Sequence, residues 1–232
     1  MLKPKFQQLA SKNNRAGFTI IESLVAVIVL GILMTAIAPT IVLSTATRVQ
    51  SRRVELATQA ARAYIDGVSA GNIPAPPIST TSSVAVPGTN LSCANPATDK
   101  GYCSLPKDDS SYKVFCVDGT GDGICTDEES KDLIVQAFGF NQNSTEASQG
   151  YRLSVRVYRA DAFQGSEALI RNENDNGEKV TQSTFTGGLG KRKAPLVEMT
   201  TEIVTDQTTF EHFCARLKVS DADADADSQC SN

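Results

Sequence analysis

From Ser23 to Leu43 the chain runs for 21 residues without a charge, SLVAVIVLGILMTAIAPTIVL. As a helix rising about 1.5 Å per residue, such a run spans the ~30 Å hydrocarbon core of a bilayer. Lys3, Lys5, Lys12 and Arg15 precede it, and no acid occurs before Glu22. By the positive-inside tendency the N-terminal end stays cytoplasmic and the rest of the chain is exported. The net charge is −4, and because the first 17 residues hold four of the positive charges, the remainder carries −8. That balance gives no case for nucleic acid as a partner.

A signal peptide or plain anchor is the commonest origin of such a segment. Two features count against it. The run passes directly into a further helical pattern with no clear small-residue cleavage site, and Glu22 sits at its edge. A carboxylate costs of order 2.5–3.5 kcal/mol at the centre of a membrane helix and less near its end, and it persists where it has a partner. A cut between Gly17 and Phe18 would supply one. Phe18 would then carry a free α-amino group, and Glu22 would be the fifth residue of the mature chain. A neighbouring copy, shifted along a helical bundle, would present Glu22 to that amine and fix the register between subunits.

The basic leader, Gly17, Phe18, Thr19, Glu22 and the apolar run together resemble the class III signal of type IV pilins and pseudopilins. Gly31 and Pro39 fall where those families often have Gly and Pro. The resemblance implies cleavage after Gly17 by a prepilin peptidase and N-methylation of Phe18. It implies a leader over 1–17 and a transmembrane, filament-core helix over 18–43. Its partners would be other pilins or pseudopilins, an inner-membrane assembly platform and membrane lipid. Pro39 removes a backbone hydrogen bond inside the helix. It reads equally as a tolerated kink or as a melt point for filament packing.

Residues 44–70 continue the helix in amphipathic form, and one helix is expected from about Phe18 to Val68. Val49, Val54 (or Arg53), Ala57, Ala61 and Ile65 recur at helical spacing, with Arg48, Arg52, Arg53, Glu55, Arg62 and Asp66 on the other side. Gly67, Gly71 and Pro74 end it. The remainder, 71–232, reads as an exported α+β domain. Its first stretch, GNIPAPPISTTSSVAVPGTN, is a loop or linker. The segments SYKVFCV, KDLIVQAF, YRLSVRVYRA and PLVEMTTEIV read as strands of a small antiparallel sheet, and TTFEHFCARL as a short helix or turn. The expected class is therefore a type IV pilin-like α+β fold, a long helix packed on that sheet and stapled by disulfides.

Six cysteines outside the apolar run suit an oxidising compartment. They fall as sequence neighbours: Cys93 and Cys103, Cys116 and Cys125, Cys214 and Cys230. Local pairing is the simplest of the 15 connectivities open to six cysteines. DGTGDGICTDEE, 118–129, resembles the 12-residue calcium loop of EF-hands. That resemblance implies Asp118, Thr120, Asp122, Ile124 (through its carbonyl), Thr126 and Glu129 as ligands. The competing reading is an Asp/Gly turn with its acids facing water. No other cofactor is implied. DADADAD, 221–227, reads as a solvated acidic tail or, less simply, a second cation site. NENDNG, 172–177, reads as a turn. GGLGKRK lacks the spacing of a phosphate-binding loop and reads as a basic loop. His212 is the only histidine. No catalytic set and no nucleotide fingerprint can be drawn, so no enzyme is expected.

The blocks TRVQSRRVELATQAARAYIDGV, KDLIVQAF, YRLSVRVYRADAF and TGGLGKRKAPLVEMTTEI resemble the cyanobacterial pseudopilins linked to hormogonium polysaccharide secretion. This implies a minor filament subunit at the inner membrane with a periplasmic globular domain, working in polysaccharide export and so in gliding. Two alternatives remain open on the sequence. One is a minor subunit of a true type IV pilus, serving adhesion, twitching or DNA uptake. The other is an uncleaved, membrane-anchored periplasmic binding module.

Overall fold

The computed structural model describes residues 17, 19–82, 84, 86–88, 93, 101–103, 111–171, 180–182 and 191–220. The leader before Gly17, Phe18, the NENDNG turn, most of the basic loop, Cys230 and the acidic tail lie outside the described residues. The chain divides into two compact units, Met1–Thr45 and Ala46–Asn232.

One helix, α1 (Ile20–Ser69), enters both units. It runs unbroken past Pro39. In the first unit it is apolar on every face, and Ile20, Val27, Met34 and Ile41 are all exposed. It is the one helix among the described residues long and apolar enough to cross a membrane.

In the second unit α1 buries a narrow stripe: Gln50, Ala57, Ala60, Ala61, Tyr64 and Val68. The spacing follows the helical period, and three alanines on the stripe let the helix axis approach the sheet closely. Val49, expected inside, is half exposed at 52%. Gln50 takes the inward position instead. Its Nε2–H donates to Gln182 Oε1 at 3.0 Å, and the Gln182 amide donates in turn to the Ala194 carbonyl at 2.9 Å. A buried amide is tolerated because it is hydrogen-bonded on arrival.

The sheet holds β1 (Ile78–Ser79), β2 (Lys113–Val117), β3 (Leu133–Phe140), β4 (Tyr151–Arg159) and β5 (Val197–Ile203). β3, β4 and β5 form a continuous antiparallel run. β2 lies antiparallel along Leu133–Ala137 of β3, and β1 takes the same edge further along, opposite Gly139 and Phe140. The β1–β3 pairing is parallel. The sheet is therefore mixed, and part of the expected linker is a strand. A two-residue strand has no alternation to detect, and Pro77, which reads as a breaker, joins the ladder through its carbonyl, accepting the Gly139 N–H at 2.8 Å. Gly139 is required there: a Cβ would stand 2.6 Å from the Ile78 side chain.

One sheet face meets α1. Val135, Ala137, Leu153, Val155 and Val157 are fully buried in one cluster with Ala57, Ala61 and Tyr64. A hydroxyl chain ties the helix end to the loops. Tyr64 Oη and Tyr102 Oη lie 2.7 Å apart, and Tyr102 donates to the Pro74 carbonyl at 2.7 Å. Burial pushes both phenols above their ordinary range, so they stay neutral.

The opposite face carries a second cluster. Val114, Ile134, Phe138 and Tyr158 meet Val84, Tyr112, Phe163, Leu169 and four half-cystines. Cys93–Cys103 and Cys116–Cys125 are disulfides, and Cys93 faces Cys125 across an isolated bridge, so the two links form one knot. Cys214, in α2 (Phe210–Ser220), is also oxidised.

Leu153→Ala in the full chain in detergent should cost about 2–5 kcal/mol of unfolding free energy, read by chemical denaturation, because it empties the centre of the helix–sheet cluster. Replacing Cys116 and Cys125 together by Ala should cost about 2–4 kcal/mol, the usual effect of opening a loop of that size.

Candidate functional site

The site of greatest interest starts at Gly17, which is exposed, and no described residue beyond its chain neighbours comes within 4 Å of the position its Cβ would take. Thr19 then caps α1. Its Oγ1 accepts the Glu22 N–H at 3.3 Å, and its carbonyl accepts the Ser23 N–H at 3.2 Å. Thr-x-x-Glu before an apolar run is the capping-box pattern. The signal is hard to see in the sequence, because Glu22, the third residue of the helix, reads first as a charge at the edge of an apolar run.

The remaining polar side chains of the apolar segment satisfy themselves. Ser23 Oγ donates to the carbonyls of Thr19 and Ile20, each at 3.1 Å. Thr35 donates to Ile32 at 2.9 Å and Thr40 to Ile37 at 2.7 Å. Back-bonding of this kind removes the cost of a hydroxyl in apolar surroundings. Glu22 differs. Its backbone N–H is bound, yet among the described residues its carboxylate has neither a hydrogen bond nor an ion pair. A carboxylate cannot bond to its own helix's carbonyls, since it carries no proton to donate.

The Asp118–Glu129 loop joins β2 to β3, and the Cys116–Cys125 disulfide closes it. Asp118 turns both oxygens onto the loop's own backbone. Oδ1 accepts N–H groups from Thr120 at 2.9 Å and Gly121 at 2.5 Å, and Oδ2 accepts that of Gly123 at 2.7 Å. Gly121 and Gly123 hold φ of 85° and 87°, a region glycine enters without strain. Asp122 Oδ1 accepts the Ile124 N–H, and the Thr126 carbonyl accepts the Glu129 N–H. Among the described residues no three of His, Cys, Asp and Glu gather as metal ligands do. The geometry supplies an anion-capped turn, in which Asp118, the first of the six residues expected as calcium ligands, turns both oxygens onto backbone N–H groups. Asp132 was missed altogether. It is fully buried and its Oδ1 accepts the Gly119 N–H at 3.0 Å, closing the base of the loop. An acid abutting the apolar run LIVQAF was its only trace in the sequence.

His212 is a helix cap. Thr209 Oγ1 accepts the His212 N–H, and His212 Nδ1 accepts the Thr209 N–H, both at 3.3 Å. This is a reciprocal capping arrangement with His in the Glu position.

The N-terminal segment matches a family model, the prokaryotic N-terminal methylation motif, over residues 12–38. No curated protein and no solved structure matches the chain. The match supports a type IV pilin-like protein with a class III signal. Such a signal implies processing by a prepilin peptidase and assembly with other pilins. The apolar helix fits a single-pass membrane anchor. The long apolar helix, the small mixed sheet and the two disulfides agree with the type IV pilin-like α+β fold.

The bonds from Gly121, Gly123 and Thr120 lower the Asp118 carboxyl from 3.8 to about 2. A lowered folded value means that the contribution is complete above the unfolded value and fades as pH falls through the folded one. Asp118→Asn should therefore show a constant loss of melting temperature above about pH 4 that shrinks towards pH 2. The same loss is expected with calcium and with chelator, since the partners of Asp118 are backbone N–H groups.

Proposed function

We propose that this chain is a minor pseudopilin, a structural subunit of a type IV pilus-like filament that assists polysaccharide secretion, and so gliding motility, in a cyanobacterium. The observation that carries the filament part is the Glu22 carboxylate. Among the described residues it has no partner, at the start of an apolar segment whose hydroxyls, on Ser23, Thr35 and Thr40, donate to the helix's own carbonyls. In the processed chain the amine of Phe18 begins the mature sequence, and Glu22 of a neighbouring copy meets it. Each charge neutralises the other inside an apolar bundle. The secretion part is supported by the resemblance of the helix and strand blocks to pseudopilins of hormogonium polysaccharide secretion.

On this reading the chain performs no chemistry of its own. A prepilin peptidase cuts after Gly17, the inner-membrane platform extracts the helix from lipid, and the folded second unit is carried on the periplasmic side.

The test is exported polysaccharide in a deletion strain. The native gene should restore export, and a Gly17 variant that keeps its leader should not. Glu22→Ala should insert and be cleaved normally, yet yield little sedimentable filament. Unchanged export with lost surface pili would assign the chain to a true pilus. An intact Met1 on the membrane-bound protein would make it an anchored module and overturn the filament reading.

A further inference from the structure

Arg48, Arg52 and Arg53 stand within two turns of α1. Leu43, the last residue of the uncharged run, precedes Arg48 by five positions, about 7.5 Å along a helix. A second group of cations is tied to the same stretch. Gln50 lies between Arg48 and Arg52, and its bond to Gln182 brings in the loop before β5. The Gln182 amide donates to the carbonyls of Arg192 and Ala194 at 3.3 and 2.9 Å. Lys191 and Arg192 are exposed there. Lys193 is buried, and its Nζ donates to the Gln164 carbonyl at 2.7 Å. Among the described residues none of these six cations forms an ion pair. Burial, and then the Arg159 guanidinium, pull the Arg53 pKa below its ordinary value, and burial, then Arg192, do the same to Lys193.

The acids that face the group do not balance it. Asp161 is held by Arg159, and Glu198 by Arg156. Glu167 is exposed near Lys193. The acidic loop 118–129 leaves the sheet from β2, three strand spacings or about 14 Å from β5. Unpaired cations thus collect in one neighbourhood of a chain that carries −8 beyond residue 17. Their place past the exported end of a membrane helix also runs against the positive-inside tendency, so they need an offsetting partner on that side.

We propose that these cations seat the second unit on the anionic headgroup phosphates of the bilayer surface from which α1 emerges. The helix itself delivers them to that surface, at an effective concentration that no soluble polyanion shares. Each Lys or Arg near an anionic surface adds attraction that fades within a Debye length. Buried Lys193 and half-buried Arg53 set the potential, while Arg48, Arg52, Lys191 and Arg192 are free to reach phosphate. The inference concerns the single subunit and stands apart from the filament reading.

The chain has no Trp, so Ser166→Trp, an exposed position two residues from Gln164, is a lone fluorescent reporter. The full chain carrying it is placed in nanodiscs of phosphatidylcholine, with or without phosphatidylglycerol, each holding a headgroup nitroxide lipid. Strong quenching is expected only with phosphatidylglycerol. It should vanish between about 0.1 and about 1 M salt, where the Debye length falls from about 10 to about 3 Å. Arg48→Gln, Arg52→Gln, Lys191→Gln and Arg192→Gln should each lower the docked-to-undocked ratio about fivefold, and Glu167→Gln should raise it. An unchanged melting temperature shows that each variant is folded. Equal quenching in the two discs, or in the fourfold Gln variant and its parent, would overturn the proposal. Shielding of the reporter by heparin, with no effect of lipid charge, would assign the cations to a soluble polyanion and overturn it too.

Discussion

The contact of Ala57, Ala61 and Tyr64 with the β3–β4 face is the constraint from which the second unit follows. It commits one side of α1 to the sheet and leaves the opposite side to solvent or to another molecule. Alanines make this possible at low entropic cost, since they lose no rotamers on burial. Tyr64 then supplies the bulk that alanines lack and anchors the end of the helix through Tyr102 to Pro74. That tether brings the chain back along the sheet, where β1 pairs parallel with β3.

A sheet covered on one face still exposes the other. Here Ile134, Phe138 and Tyr158 would face water were it not for Val84, Tyr112, Phe163, Leu169 and four half-cystines packed over them. Ser-, Thr- and Pro-rich segments bury too little surface to order themselves. Two disulfides within one knot supply the missing restraint by shrinking the unfolded ensemble of those loops. Arg156 shows the same economy. It spans the face with Glu198 at 3.0 Å and lies 5.0 Å from the Phe138 ring, so its stem packs while its charge is paired.

Much of this was legible beforehand for definite reasons. The apolar run, the amphipathic continuation, the short apolar stretch LIVQAF and the alternation Leu153, Val155, Val157 are strong local signals, and α1, β3 and β4 appear where they point. What escaped was local and non-periodic. β1 is two residues long. Gln50 is inward only because Gln182, 132 positions away, receives it. The acids of 118–129 have the order of a cation loop, but order does not say whether a carboxylate faces an ion or its own backbone. Asp118 faces its backbone. Thr19 and Glu22 form a cap pattern that competes for attention with the processing motif it overlaps.

That overlap bears on why position 22 is acidic. The cap uses the backbone N–H of residue 22, which any residue but proline supplies. An acidic side chain in the first turn adds about 0.3–1 kcal/mol through the helix dipole. Against this stands a cost of order 2.5–3.5 kcal/mol for a charge at the centre of an apolar medium, less at its edge. In a membrane the edge is wet and the two terms are comparable, so Glu22 is tolerated. Once apolar helices replace water and headgroups around it, the cost rises towards the larger figure and the dipole no longer offsets it. On the proposed filament reading only an opposite charge restores the balance, and the nearest one that cleavage after Gly17 would create is the amine four residues before it. On that reading an acid here is nearly neutral in the lone subunit and selective in the assembly: a neighbour that brings the amine within reach is accepted, and one that does not is rejected.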